Sequence, residues 1–190
     1  MTVMGGHEGS SYTVEDLEDM PDDGRRYELV DGHLLVSLAP GYRHQEIVAE
    51  LCGRLRAVCP ADLTALPAPF TVQVSSNTEV QPDVLVARRA DFTDKLLPVA
   101  PLLAVEVLSP STGIRDLTIK MTAYERMGVI SYWVIDPQEP VLAVFELDPE
   151  GCYQQVVEVQ GEKPFDATLP FPVRIVPAEL LGSLWDGESE

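Results

Sequence analysis

The chain has 190 residues, 45% of them hydrophobic, and thirteen Lys and Arg stand against thirty-one Asp and Glu for a net charge of −18. That is enough apolar material for one globular domain with a core, while two full domains would be a squeeze. The charge repels membrane surfaces and phosphate backbones at long range.

The acids crowd the two ends. Residues 1–23 carry seven carboxylates and no Lys or Arg, residues 137–190 carry eleven against Lys163 and Arg174, and residues 24–136 hold thirteen against eleven bases. A nearly neutral middle weakens the objection to a DNA ligand. Cys52, Cys59 and Cys152 are odd in number and lack zinc-site spacing, which suits unpaired thiols in a reducing cytoplasm. The chain reads as cytoplasmic, with no leader, no apolar run long enough to span a bilayer and no membrane partner.

Thr13 precedes VEDLEDM, with Glu15 and Asp16 in the first turn, which predicts a short helix ended by Pro21-Asp22-Asp23-Gly24. RYELVDGHLLVSL is two β-type runs about Asp31-Gly32, a hairpin signal. Ile47, Val48, Leu51, Leu55 and Val58 recur at helical spacing, so 42–58 predicts an amphipathic helix closed by Cys59-Pro60. FTVQV (70–74) and EVQPDVLVA (79–87) read as strands, Pro82 lying near the start of the second, where a missing N–H is least damaging. A strand over 102–108 follows, then a turn over 109–113 in which Ser111 and Thr112 are helix caps, then a helix over 114–127 stopped by Gly128.

SYWVID (131–136) returns as a strand, and VLAVFEL and CYQQVVEVQ form an antiparallel extension around Asp148-Pro149-Glu150-Gly151. Strand, helix and strand over 102–136 make a crossover unit whose two strands lie parallel. The class expected is α/β: a mixed β-sheet flanked by helices, with an N-terminal hairpin and a C-terminal antiparallel extension. One domain would span 1–190, with a core over about 12–145 and flexible ends at 1–11 and 186–190.

Three charges break the apolar patterns. Glu106 stands inside AVEVL and Asp83 inside PDVLVA, and a bare carboxylate in such a strand must shift its pKa, pair, or bind a metal. Lys120 falls within the helical stripe of Leu117, Met121, Tyr124 and Met127, so its ammonium needs a negative partner. Taken singly, each reads more readily as a satisfied structural group or a snorkelling side chain. Together, on neighbouring elements, they suit metal-assisted phosphodiester hydrolysis equally well. Hard Mg²⁺ takes carboxylate oxygens and keeps its waters, one of which becomes the nucleophile, while a lysine steers that water or offsets charge on the phosphate. That reading expects Asp83 and Glu106 close enough to share a cation, with Lys120 in the same pocket. Tyr132 and Trp133 read as packing, and no glycine-rich phosphate loop is present.

YELVDGHLL, RHQEIVAEL, QPDVLV, AVEVLSPST, DLTIKMTAYERMGV and YWVIDP, in that order and spacing, resemble the Uma family of "putative restriction endonucleases", of the PD-(D/E)XK nuclease superfamily. The resemblance implies a DNA endonuclease using Mg²⁺ or Mn²⁺. Asp83 and Glu106 would be metal ligands, joined by the backbone carbonyl of Val107. The lysine expected two residues after the acid is replaced by Leu108, and Lys120 resembles the migrated lysine of variant members. Glu28 and His44 also fall on family motifs. Glu28 is an outer metal ligand or a solvated strand-face group, and His44 an outer group or a core and helix-start histidine. The displaced lysine and the acidic balance leave a second reading, a non-cleaving binding or interaction module of the same fold. DNA is the partner implied, and a homodimer would supply two sites for two strands.

Overall fold

Asp31 and Gly32 both take positive φ, 49° and 77°, the backbone that a two-residue turn between twisted strands demands. In the computed structural model, which describes residues 2–4, 11–109 and 114–185, they close a hairpin of β2 (Arg26–Val30) and β3 (His33–Ser37). Before it, β1 (Thr2–Met4) pairs with β3, so this part of the expected flexible end is a strand. The short helix α1 (Val14–Glu18) starts where the Thr13 N–H donates to the Asp16 carboxylate at 2.7 Å. The expectations for 186–190, and for Ser111 and Thr112 as caps, lie outside the described residues.

The helix over Tyr42–Val58 (α2) ends at Cys59 as expected, but Val58 is half exposed and not core. After it come β4 (Leu63–Pro67), which the sequence reading lacked, and β5 (Thr71–Ser75). EVQPDVLVA is not one strand. It splits into β6 (Thr78–Val80) and β7 (Val84–Arg88), which belong to different sheets, and Pro82 sits at the change of sheet. Proline cannot donate to a ladder, so the point where one ladder stops and another begins is where it fits.

β8 (Leu96–Leu97), β9 (Leu103–Val107), α3 (Ile114–Met127) and β10 (Ser131–Asp136) follow. β9 and β10 are parallel, with Val105 opposite Trp133, as a crossover helix requires. β11 (Val141–Leu147) and β12 (Tyr153–Gln160) form the antiparallel extension, and a small hairpin of β13 (Phe165–Ala167) and β14 (Val173–Ile175) follows it.

The expected single sheet is thus two. One runs β1-β3-β2-β6-β5-β8, parallel at β5–β8, and the other runs β12-β11-β10-β9-β7-β4, parallel at β9–β10. Strand alternation sorts the core. Leu103, Val105 and Val107 face α2 and the C-terminal residues Phe171, Ile175 and Leu180. Ala104 faces the other way, into a cluster made with Val30, Val72 and Val80 of the first sheet and Ala123 and Tyr124 of α3. Glu106, two residues along from Ala104, shares that second face. No helix among the described residues is long and apolar enough to cross a membrane.

The hairpin turn gives a stability test. A Cβ on Gly32 would stand 2.5 Å from the Ser11 Cβ in addition to the strain of positive φ, whereas Gly24, also at φ 77°, faces open space. Gly32→Ala should cost about 2 kcal/mol and Gly24→Ala about half that, read as lower urea midpoints with unchanged m-values.

Candidate functional site

Asp83 lies between the two sheets, just after the change of sheet at Pro82, and is buried. Its Oδ1 accepts from the Arg26 guanidinium at 3.0 Å, and its Oδ2 from the Val107 N–H at 2.9 Å and from His44 Nε2 at 3.1 Å. Burial pushes this carboxyl up, but the His44 hydrogen bond and charge, then Arg26 and Lys120, hold it at about 2.

Glu106 projects from β9 toward α3, where Lys120 Nζ lies 3.0 Å from both of its oxygens and the Tyr124 hydroxyl donates to Oε1 at 2.7 Å. Burial pushes the Glu106 carboxyl up to about 7 against the pull of Lys120, with Asp83 and Glu28 adding to the push. Lys120 is 3% exposed, and its Nζ also meets Glu28 Oε1 at 2.8 Å. Burial alone would lower the ammonium, yet Glu106, Glu28 and Asp83 outweigh it and hold it above its ordinary value.

Asp83, Glu106, Val107, Lys120 and His44 therefore line one narrow pocket of about 40 Å³, together with Arg26 and Leu38. Glu28 stands behind it, 1% exposed, its Oε1 also accepting from the Gln81 N–H at 2.7 Å. The solvated alternative for Glu28 is overturned, because Glu28 and Val30 share the strand face that looks onto the second sheet. His44 is buried in the first turn of α2, as the core or helix-start reading expects, and the partner of its ring is Asp83.

Two groups beyond those expected touch the carboxylates. Tyr124 belongs to the apolar stripe, and the spacing gives no sign that its hydroxyl reaches Glu106. Arg26 alternates with Glu28 and Val30 along β2, which is the one signal that places it on the inner face.

Among the described residues, no group of three or more His, Cys, Asp and Glu side chains forms a ready cation cage. The donor set still has the chemistry of a hard divalent ion. Asp83, Glu106 and the Val107 carbonyl offer oxygen alone, and Glu28 Oε2 is buried with no hydrogen-bond partner, an acceptor to spare beside them. About 40 Å³ holds an ion or a water and little more.

A family model named Uma2 and described as "Putative restriction endonuclease" matches residues 14–179. Among solved structures, the chain is similar to a "putative nuclease belonging to DUF820" from Anabaena variabilis, at 19% identity and a TM-score of 0.69, over 90% of this chain and 97% of that one. That likeness establishes the shared α/β fold. No curated protein matches the chain.

The depressed Asp83 carboxyl fixes the sign of an acid response. A carboxyl at about 2 in the folded chain and near its ordinary value unfolded stabilises the fold above pH ~4, and that stability is lost as pH falls toward 2. Asp83→Asn should remove of order 2 kcal/mol at neutral pH and flatten the acid limb between pH ~4 and ~2, measured by urea unfolding across that range.

Proposed function

The chain belongs to the Uma2 family, and from that premise we propose that it is a metal-dependent endonuclease hydrolysing DNA phosphodiester bonds. Asp83, Glu106 and the Val107 carbonyl would hold Mg²⁺ or Mn²⁺, with Glu28 and His44 behind them. The observation that carries the reading is Lys120 Nζ at 3.0 Å from both Glu106 oxygens, in the pocket that Asp83 also lines.

The bound ion would supply an acidified water as nucleophile and positive charge for the phosphate. The chain's own residues set the geometry. Arg26, His44 and the Val107 N–H fix both oxygens of Asp83, so this ligand is oriented before anything binds. Lys120 and Tyr124 do the same for Glu106. The ammonium stays positive at any working pH, so it offsets charge building on the phosphate without a proton change. Two copies would cut two strands, which is the case for a homodimer.

A second reading, a non-cleaving binding module of this fold, draws on the closure of the same network: each oxygen of Asp83 and of Glu106 already accepts from a protein donor. Purified protein on supercoiled and linear DNA with Mg²⁺, Mn²⁺ or EDTA separates the two. The nuclease reading expects cleavage with metal alone, its loss in Asp83→Asn and Glu106→Gln, and a fall of about 10²–10³ in rate for Lys120→Met. Lys120→Met also leaves two buried carboxylates without their cation, at about 3–5 kcal/mol, so its rate is measured well below its own melting temperature. A wild-type chain that cuts nothing and whose melting temperature ignores Mn²⁺ is the binding module.

A further inference from the structure

Beside the narrow pocket lies a wider one of about 320 Å³, and the two share Arg26, Leu38, Pro40 and Asp83 as a common wall. The lining of the wider pocket includes the small and apolar residues Ala39, Val48, Ala68 and Pro69, with Gln45, Gln81 and Arg25 among its polar residues. Pockets of roughly 300 Å³ and above, mostly apolar with a few polar groups, take planar small molecules and fix their orientation through those groups. A nucleobase matches this pattern, with apolar faces and hydrogen-bonding edges that amides read.

Position and charge narrow the occupant. The narrow pocket has room for an ion or a water and little more, so the nucleotide flanking a bound phosphate must lie outside it, and the wider pocket begins at Asp83 itself. Leu38, on the shared wall, is 63% exposed, and Tyr42, 68% exposed, shares a helix face with Gln45 three residues on. Cations are few here: Arg25 pairs with Asp23 and Arg26 with Asp83. With a net charge of −18 on the chain, phosphate neutralisation is a weak source of affinity, and base contact a stronger one. A duplex keeps its base faces in the stack, and an unpaired nucleotide offers them.

Resting on the nuclease reading above, we propose that the wider pocket binds the unpaired base next to the scissile phosphate, so that each DNA strand is cut where it is locally single-stranded. The test is fluorescence anisotropy in EDTA with a short fluorescein-labelled single strand, its duplex, and the same strand carrying abasic spacers. The intact single strand should bind about tenfold tighter than either of the others. Ala39→Trp, which fills the pocket from an exposed position, should erase that difference, and Gln45→Ala should weaken the intact strand several-fold. Circular dichroism checks both folds, and should Ala39→Trp misfold, the abasic comparison and Gln45→Ala still decide.

Equal binding of all three DNAs, or no binding of any, overturns the proposal, as does an Ala39→Trp that keeps the base preference. Because the assay needs no hydrolysis, the two readings fail separately. Base-dependent binding by a chain that cuts nothing in Mg²⁺ keeps the pocket and removes the nuclease. Cleavage in Mg²⁺ of intact and abasic strands at one rate keeps the nuclease and removes the pocket.

Discussion

A single buried ammonium ties the layers together. Lys120 comes from α3, Glu28 from the first sheet and Glu106 from the second, and the Nζ lies within 3.0 Å of both acids. Remove Lys120 and two carboxylates are left without their cation in an interior that cannot solvate them, whereas loss of either acid leaves the ammonium paired with the other. The ion pairs add to the apolar packing a fixed geometry of three charged groups from three elements, which a shift of one sheet on the other would break.

Asp83 is the second tie, made from different threads. It takes a guanidinium from β2, an imidazole from α2 and a main-chain N–H from β9. Its own place in the chain follows from the break at Gln81-Pro82, where β6 ends in one sheet and β7 starts in the other. The carboxylate is thus delivered to the gap between sheets by a bend in the backbone, while Glu106 reaches the same gap by simple alternation along an unbroken strand. Two routes converge on one pocket.

The difference between the routes explains what could be read in advance. Asp83, Glu106 and Lys120 stand out because each interrupts an apolar pattern, and burial then follows from the neighbours. Glu28 and Arg26 do not interrupt anything. In RYELV, Tyr27 and Leu29 are as apolar as Val30, so either face of the strand could be the inner one, and only packing against the second sheet decides. The change of sheet is equally silent, because a run of strand-forming residues looks the same in one sheet or two, with Pro82 as its sole mark. β4, β8 and the β13–β14 hairpin are short or lack alternation. Phe171, Leu180 and Leu181 fill the core from turns and a single 3₁₀ turn, where no period exists to detect.

The order in which the ties appear along the chain matters for biosynthesis. Arg26 and Glu28 leave the ribosome first, Asp83 and Glu106 later, and Lys120 last of the five. Until α3 emerges, closing the sheets would bring Glu28 and Glu106 together without their counter-ion, a cost set against the apolar surface buried between the sheets. A chain cut short before α3 therefore carries the acids without the ammonium that joins them, and the pocket needs the polypeptide at least as far as Lys120.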